Sequence, residues 1–197
     1  MNKHKKSRAI KPKAHSLRII GGQWRGRKLT FADAPGLRPT ADRVRETLFN
    51  WLQAKVAGSA CLDLFSGSGA LGLEALSRGA AHVTFLEKSP AVAKVLDQQL
   101  ILLQANPKAD VMQIDAVQYL ETTHALTFDI VFIDPPFAHN LWQICCDKLK
   151  DGQCLNPNAL IYVEQDKKSP ALDLPQNWEV IKHKTAGNVR FQLIQIN

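Results

Sequence analysis

From residue 60 onward the apolar positions switch between two spacings. ACLDLFS, AHVTFLE, ADVMQI, FDIVFI and ALIYVEQ are short apolar runs that predict strands. Between them ALGLEALSRG, SPAVAKVLDQQLILLQA, AVQYLET and LWQICCDKLKDG carry helical spacing. Pro90 falls near the first turn of the second helix, where its missing N–H costs nothing. WEVIKHKT and RFQLIQI predict a closing antiparallel pair. Strands separated by helices imply an α/β fold with a mainly parallel, doubly wound sheet of about seven strands.

Ahead of that region, SLRIIGGQWRGRKLT holds two strand-like runs around Gly21-Gly22 and predicts a small N-terminal β-hairpin. FADAPGLRPTA, with two prolines and a glycine, reads as a loop. In ADRVRETLFNWLQAK, Val44, Leu48, Trp51 and Leu52 share one helical face, with Thr40 or Asp42 as cap. Residues 1–14 have almost nothing to bury and are expected to be a disordered tail.

Composition adds a few limits. The chain has 197 residues and 45% apolar content, suited to one domain with an appendage. It holds no run of about 18 apolar residues and no apolar segment behind the charged N-terminus, so neither a membrane span nor a secretory signal is expected. Cys61, Cys145, Cys146 and Cys154 form no C-x-x-C pair and no zinc spacing. Reduced structural thiols in a cytoplasmic protein, and no metal, are the expectation.

Net charge is +7, and it is unevenly placed: residues 1–28 hold ten Lys/Arg and no acid. The remainder holds 15 bases against 18 acids. A basic arm on a near-neutral domain is read either as a solvated tail that aids solubility or as a nucleic-acid arm that binds phosphates, and the second is the expectation.

The candidate chemistry gathers at the predicted strand ends. Gly67-Ser68-Gly69-Ala70-Leu71-Gly72 matches G-x-G-x-x-G between a strand and a helix, and Glu87 lies twenty residues after Gly67. That arrangement binds a nucleotide-like ligand, the acid accepting from ribose hydroxyls. Asp63, four residues before Gly67, would repel a pyrophosphate but favours the ammonium and sulfonium of S-adenosyl-L-methionine. Asp115 is placed either to accept from an adenine amino group or to cap the helix after it.

FDIVFIDPPFAHN (128–140) ends a fully apolar strand on Asp134-Pro135-Pro136-Phe137. An exocyclic amine on a base is a poor nucleophile because its lone pair is delocalised into the ring. Two acceptors on its two N–H bonds would turn that pair toward a methyl donor. Asp134 supplies a carboxylate and Pro135 a carbonyl whose direction the prolines fix. Phe137 offers a ring to stack on a base drawn out of its helix. His139 follows and is read as an incidental surface residue.

DLFSGSGALG, FLEKS, IDA and IDPPF resemble, in order, the first four motifs of class I S-adenosylmethionine-dependent methyltransferases. RIIGGQWRGRKL, GLRPTADRVRETLFNWL and ALIYVE resemble the RsmD family of bacterial 16S rRNA guanine-N2 methyltransferases, over about residues 17 to 194. The resemblance implies a Rossmann-like fold and cofactor contacts at Asp63, Phe65, Ser66, Gly67, Gly69, Glu87, Lys88, Asp115, Ala116 and Asp134. It implies Asp134, Pro135 and Phe137 as catalytic.

On the RNA side it implies Arg18, Trp24, Arg25, Arg27, Arg38, Thr40, Arg43, Pro136 and Phe137. Arg43 is read either as a grip on RNA phosphates or as a residue that closes over the cofactor, and Arg45, Lys182, Lys184 and Arg190 are weaker candidates for the RNA surface. The implied substrate is guanine-966 of 16S rRNA in a partly assembled small ribosomal subunit, met by a monomer. The division that follows is a tail (1–14), an RNA-binding hairpin and loop (15–40) and a methyltransferase domain (41–197). A DNA adenine-N6 or cytosine-N4 methylase, a non-catalytic RNA-binding assembly factor and an NAD-dependent dehydrogenase are the competing readings.

Overall fold

A computed structural model describes residues 15–31, 42–122, 126–136 and 141–197. Residues 1–14, 32–41, 123–125 and 137–140 lie outside them. A small hairpin comes first, β1 (His15–Arg18) antiparallel to β2 (Lys28–Phe31). Helix α1 (Asp42–Trp51) follows. The alternation then runs β3 (Ala60–Asp63), α2 (Ala70–Ser77), β4 (His82–Leu86), α3 (Pro90–Leu102), β5 (Ala109–Met112), α4 (Ala116–Leu120), β6 (Phe128–Ile133), α5 (Leu141–Asp151) and β7 (Leu155–Asp166). Strands β8 (Trp178–Ala186) and β9 (Val189–Ile196) close the chain.

The seven strands β3 to β9 form one sheet in the order β5-β4-β3-β6-β7-β9-β8. Pairings from β5 across to β7 are parallel, and β9 runs antiparallel to both neighbours. The expected fold, including the antiparallel C-terminal pair and the N-terminal hairpin, is therefore the one observed. Its physical basis is burial on both faces, which parallel strands require. In β6, Ile130 and Phe132 join a core with α1, α2 and α3, while Val131 and Ile133 join a second core with α4 and α5. This is why β6 reads as an unbroken apolar run.

Two boundaries differ from the periodicity. Strand β7 begins at Leu155, ahead of the ALIYVEQ run, because Leu155 pairs with Phe128 before a register shift. The hairpin connection is longer than a turn at Gly21-Gly22. Residues 19–27 form an excursion with a short 3-10 turn at Gly22–Trp24, closed by Ile19 N–H to Arg27 carbonyl and Gly26 N–H to Ile19 carbonyl.

That excursion docks on α2. The Ile20 and Gly21 N–H groups donate to the two Glu74 carboxylate oxygens at 2.8 Å each. Ser77 Oγ accepts from Trp24 N–H and donates to Gly21 carbonyl. The approach explains Gly22: its φ is +72°, and a Cβ there would lie 1.8 Å from the Ser77 carbonyl oxygen.

All four cysteines are free and buried. Burial pushes the Cys61, Cys145 and Cys146 thiols up to about 12, which makes them inert.

Candidate functional site

The sheet register brings four acids to one edge. Asp63 closes β3, opposite Phe85 of β4 and Phe132 of β6. Glu87 stands two residues past Phe85, and Asp134 two past Phe132. Glu87 N–H continues the ladder to Met112, the last residue of β5, and Asp115 follows three residues later. Asp63, Glu87, Asp115 and Asp134 thus share the carboxyl edge of four adjacent strands, the crevice where open α/β sheets bind ligands.

The glycine turn sits at the centre of that edge. Gly67 and Gly69 have positive φ, +49° and +77°, conformations that a side chain would strain. A Cβ on Gly69 would also meet Leu96 at 2.5 Å. Gly72 brings α2 down onto β4, since a Cβ there would lie 2.2 Å from the Phe85 ring. Ser66 Oγ donates to the Asp63 carbonyl, and Gly69 N–H to the Ser66 carbonyl. Phe65 is half-buried beside the turn.

Two carboxylates brace this loop from below. Glu87 accepts from Gly67 N–H at 3.0 Å and from Ser89 N–H at 2.7 Å. A carboxylate has about four acceptor positions, so Glu87 keeps capacity for ribose hydroxyls. Asp63 accepts from Gly72 N–H at 3.1 Å and is buried. Burial pushes its carboxyl up to about 7; hydrogen bonds from Gly72 and Phe65 N–H pull it down, and the charge of Glu87 raises it. A neutral carboxyl at the bottom of a ligand crevice ionises when a cation arrives beside it.

Asp115 performs the capping role that its spacing allows: Oδ1 accepts from Val117 N–H at 2.9 Å and Gln118 N–H at 3.4 Å. The cap fixes the carboxylate at the mouth without using Oδ2. Ala116, buried, and Lys88, exposed, flank these acids. Asp134 is half-buried, Pro135 buried and Pro136 exposed. Behind them lies Tyr162, fully buried, its hydroxyl donating to Glu164 at 2.9 Å. Burial and then the carboxylates of Glu164 and Asp134 hold its phenol well above the usual range.

Three sequence expectations for the RNA surface are corrected by packing. The Trp24 ring is buried in the core with Leu17, Leu29 and Phe31, so it is not offered for stacking. Arg45 is completely buried, its Nη2 held by Asp42 at 2.6 Å and the Arg18 carbonyl at 2.9 Å. Its Nη1 lies 3.7 Å from Glu74. Arg190 is half-buried and donates to Gln165 and to the carbonyls of Ser169 and Pro170. Arg18, Arg25, Arg27, Arg43, Lys182 and Lys184 are exposed. Arg38, Thr40, Phe137 and His139 lie outside the described residues.

Sequence reasoning passed over Glu74, Ser77 and Arg78, the residues that seat the hairpin on α2. Arg78 Nε donates to Glu74 at 2.7 Å, and its guanidinium lies 5.0 Å over the Phe49 ring. The available signal was an acid inside an otherwise apolar helix, ALGLEALS.

Residues 17–195 match the family described as Conserved hypothetical protein 95. The chain belongs to this family. Two relatives are both called Ribosomal RNA small subunit methyltransferase D. The one from Escherichia coli strain K12 is 48% identical over 179 residues, 91% of this chain and 89% of the relative. The one from Haemophilus influenzae is 48% identical over 181 residues, 91% of this chain and 93% of the relative. A solved structure described as a putative methyltransferase yhhF from Escherichia coli superposes with a TM-score of 0.86 at 44% identity, covering 92% of this chain and 98% of that one. The resemblance to the RsmD family is borne out by this membership. The residues that carried it, GLRPTADRVRETLFN and the strand-end motifs, fall within the matched span.

Proposed function

We propose that the chain transfers the methyl group of S-adenosyl-L-methionine to the exocyclic N2 of a guanine in 16S rRNA, guanine-966 by family resemblance. The observation that carries this reading is Asp134-Pro135 at the carboxyl edge of β6, one strand from the glycine turn and its acids. Family membership supports ribosomal RNA of the small subunit as substrate.

Asp63 would hold the ammonium and sulfonium of the cofactor, Glu87 its ribose and Asp115 its adenine amino group. Gly67 and Gly69 let the backbone approach, and Phe65, Ser66, Lys88 and Ala116 line the remainder. The cofactor supplies an electrophilic methyl on sulfur. Asp134 and the Pro135 carbonyl would accept from the guanine amine, turn its lone pair toward that methyl and offset the positive charge that grows on nitrogen. The N–C bond forms as the S–C bond breaks and releases the neutral thioether, and the amine's surplus proton passes to the Asp134 carboxylate. Pro136 and Phe137 hold the base. The exposed Arg18, Arg25 and Arg27, with the basic tail 1–14, Arg38 and Thr40, meet phosphates. The protein works in the cytoplasm, as a monomer, on a partly assembled subunit.

Asp63 gives the cofactor step a pH signature. The ionised form binds the cationic ligand, and its carboxyl sits up at about 7. Below that pH a proton must leave before the ligand binds, so affinity falls toward a limit of about tenfold per pH unit. Titration calorimetry between about pH 5.5 and 7 will show this slope in the wild type. Asp63→Asn will bind more weakly and lose the slope. An unchanged slope in the variant would remove Asp63 from the cation's surroundings.

The function itself is tested with small subunits from cells lacking this gene. Incubation with the protein and labelled cofactor should place one methyl group, recovered as N2-methylguanosine by mass spectrometry of nucleosides. A labelled adenosine or cytidine, or no label on subunits or naked 16S rRNA, would overturn the proposal.

A further inference from the structure

A second feature of the same edge is a groove of about 270 Å³ between α1 and the tip of the β8–β9 hairpin. Arg43, Thr47, Lys184, Thr185 and Gly187 line it, with Phe191 at its base. Its construction follows from two periodicities. Arg43, Thr47 and Trp51 lie four residues apart on one stripe of α1. Trp51 stacks on Phe191 of β9 with ring centroids 5.3 Å apart. Lys184 is the cross-strand partner of Phe191, so it stands on the same face of the sheet as that ring. The stacked pair therefore fixes the helix over the hairpin and sets Arg43 and Lys184 on opposite walls.

The groove's chemistry suits an anion. Among the described residues its lining includes two cations and two hydroxyl-bearing threonines, and no carboxylate. Neither Arg43 nor Lys184 has an ion-pair partner among the described residues. Thr47 Oγ1 donates to the Arg43 carbonyl, which holds that side of the wall.

Its position suits the substrate. The hairpin turn joins Ala186 to Val189, and Val189 is also the partner of Asp166, the carboxyl end of β7. The groove thus opens at the edge that carries Asp134. From β6, strand β9 is two places along the sheet and β8 three. At about 4.8 Å per strand that is roughly 10–15 Å. A phosphate seated there belongs to nucleotides flanking the one whose base reaches Asp134.

We infer that Arg43 and Lys184 form a phosphate seat that holds the RNA backbone beside the target guanine. This rests on the proposed reading of the neighbouring site as an RNA methyltransferase centre. It assigns Arg43 to the RNA rather than to closure over the cofactor. It also separates Lys184 from Arg190, whose Nη2 is held by Gln165 of β7 and by the carbonyls of Ser169 and Pro170.

The test uses the full chain, undermodified small subunits and the variants Arg43→Gln, Lys184→Gln and Lys184→Arg. Lys108→Gln is the control, because Lys108 precedes β5 at the opposite edge of the sheet. Each Gln variant should weaken subunit binding about threefold to tenfold and reduce the slope of log K against log salt by about 0.7–0.9, one phosphate's worth. The subunit concentration for half-maximal rate should rise in parallel, with cofactor affinity as in wild type. Lys184→Arg should restore the slope, and Lys108→Gln should keep it. Wild-type salt slopes in both Gln variants would overturn the seat. So would a loss of cofactor affinity in Arg43→Gln, which would place that arginine on the cofactor. A wild-type protein that binds subunits but transfers no methyl group would instead overturn the reading of the centre, which these slopes do not depend on.

Discussion

Glu74→Ala will lower the stability of the folded chain by about 3–5 kcal/mol, the cost of leaving a buried charge without its partner. Glu74 is completely buried in α2 and receives four groups: Ile20 and Gly21 N–H, Arg78 Nε and the more distant Arg45 Nη1. Without it, Arg45 keeps Asp42 and the Arg18 carbonyl among the described residues, while its Nε and Nη1 have no hydrogen bond to a described residue even in the wild type. The N–H groups at the head of the hairpin excursion lose their acceptors too. Against a typical total of roughly 5–15 kcal/mol, this is a large share. Urea unfolding will show the midpoint falling with little change in slope. The double variant Glu74→Leu with Arg45→Met should recover only the part due to the unpaired Arg45 charge, because the Ile20 and Gly21 N–H groups and Arg78 still lack their acceptor. A single variant within about 1 kcal/mol of wild type would mean that the hairpin is held by its apolar residues alone.

This clamp also marks where sequence reading ran out. The strand and helix order was legible because burial on two faces and on one stripe leave different local spacings, as in β6 and α1. The strand-end acids were legible because a strand's direction puts its last residue at a known edge. Glu74 was not, because its partners Ile20 and Gly21 lie 54 and 53 residues away. Arg45 and Arg43 look alike in RVRET. One turns inward to Asp42 and Glu74, the other outward, and only the packing of α1 decides between them. Trp24 among arginines has the composition of an RNA-stacking surface. Its backbone N–H donates to Ser77, and its ring packs in the core with Leu17, Leu29 and Phe31 instead. Asp115 shows a milder case: the spacing allowed two roles, and the structure shows the capping one, made through Oδ1.

Asp134→Asn will collapse turnover while leaving cofactor affinity little changed. The substitution keeps the size and one acceptor oxygen but removes the charge, and it places an amide N–H₂ where the guanine amine brings its own donors. Asp134 is held by position: β6 is buried on both faces up to Ile133, Pro135 biases it to extended geometry, and Pro135 is itself buried. The carboxylate therefore needs little reorganisation as positive charge develops on nitrogen, the condition under which a preorganised polar group is worth most. A loss of about 10²–10³ in rate corresponds to roughly 2.7–4 kcal/mol of transition-state stabilisation. The ammonium, ribose and adenine groups of the cofactor are assigned to Asp63, Glu87 and Asp115, on β3 and beyond β4 and β5, so the cofactor contact implied at Asp134 is a small one and affinity should stay close to wild type. The measurement is single-turnover methylation of undermodified small subunits at saturating cofactor, with calorimetry of cofactor binding in parallel. Near-normal turnover would sink the role of Asp134 as acceptor. Equal losses in turnover and cofactor affinity would move it to the cofactor side of the crevice, leaving the Pro135 carbonyl to orient the amine.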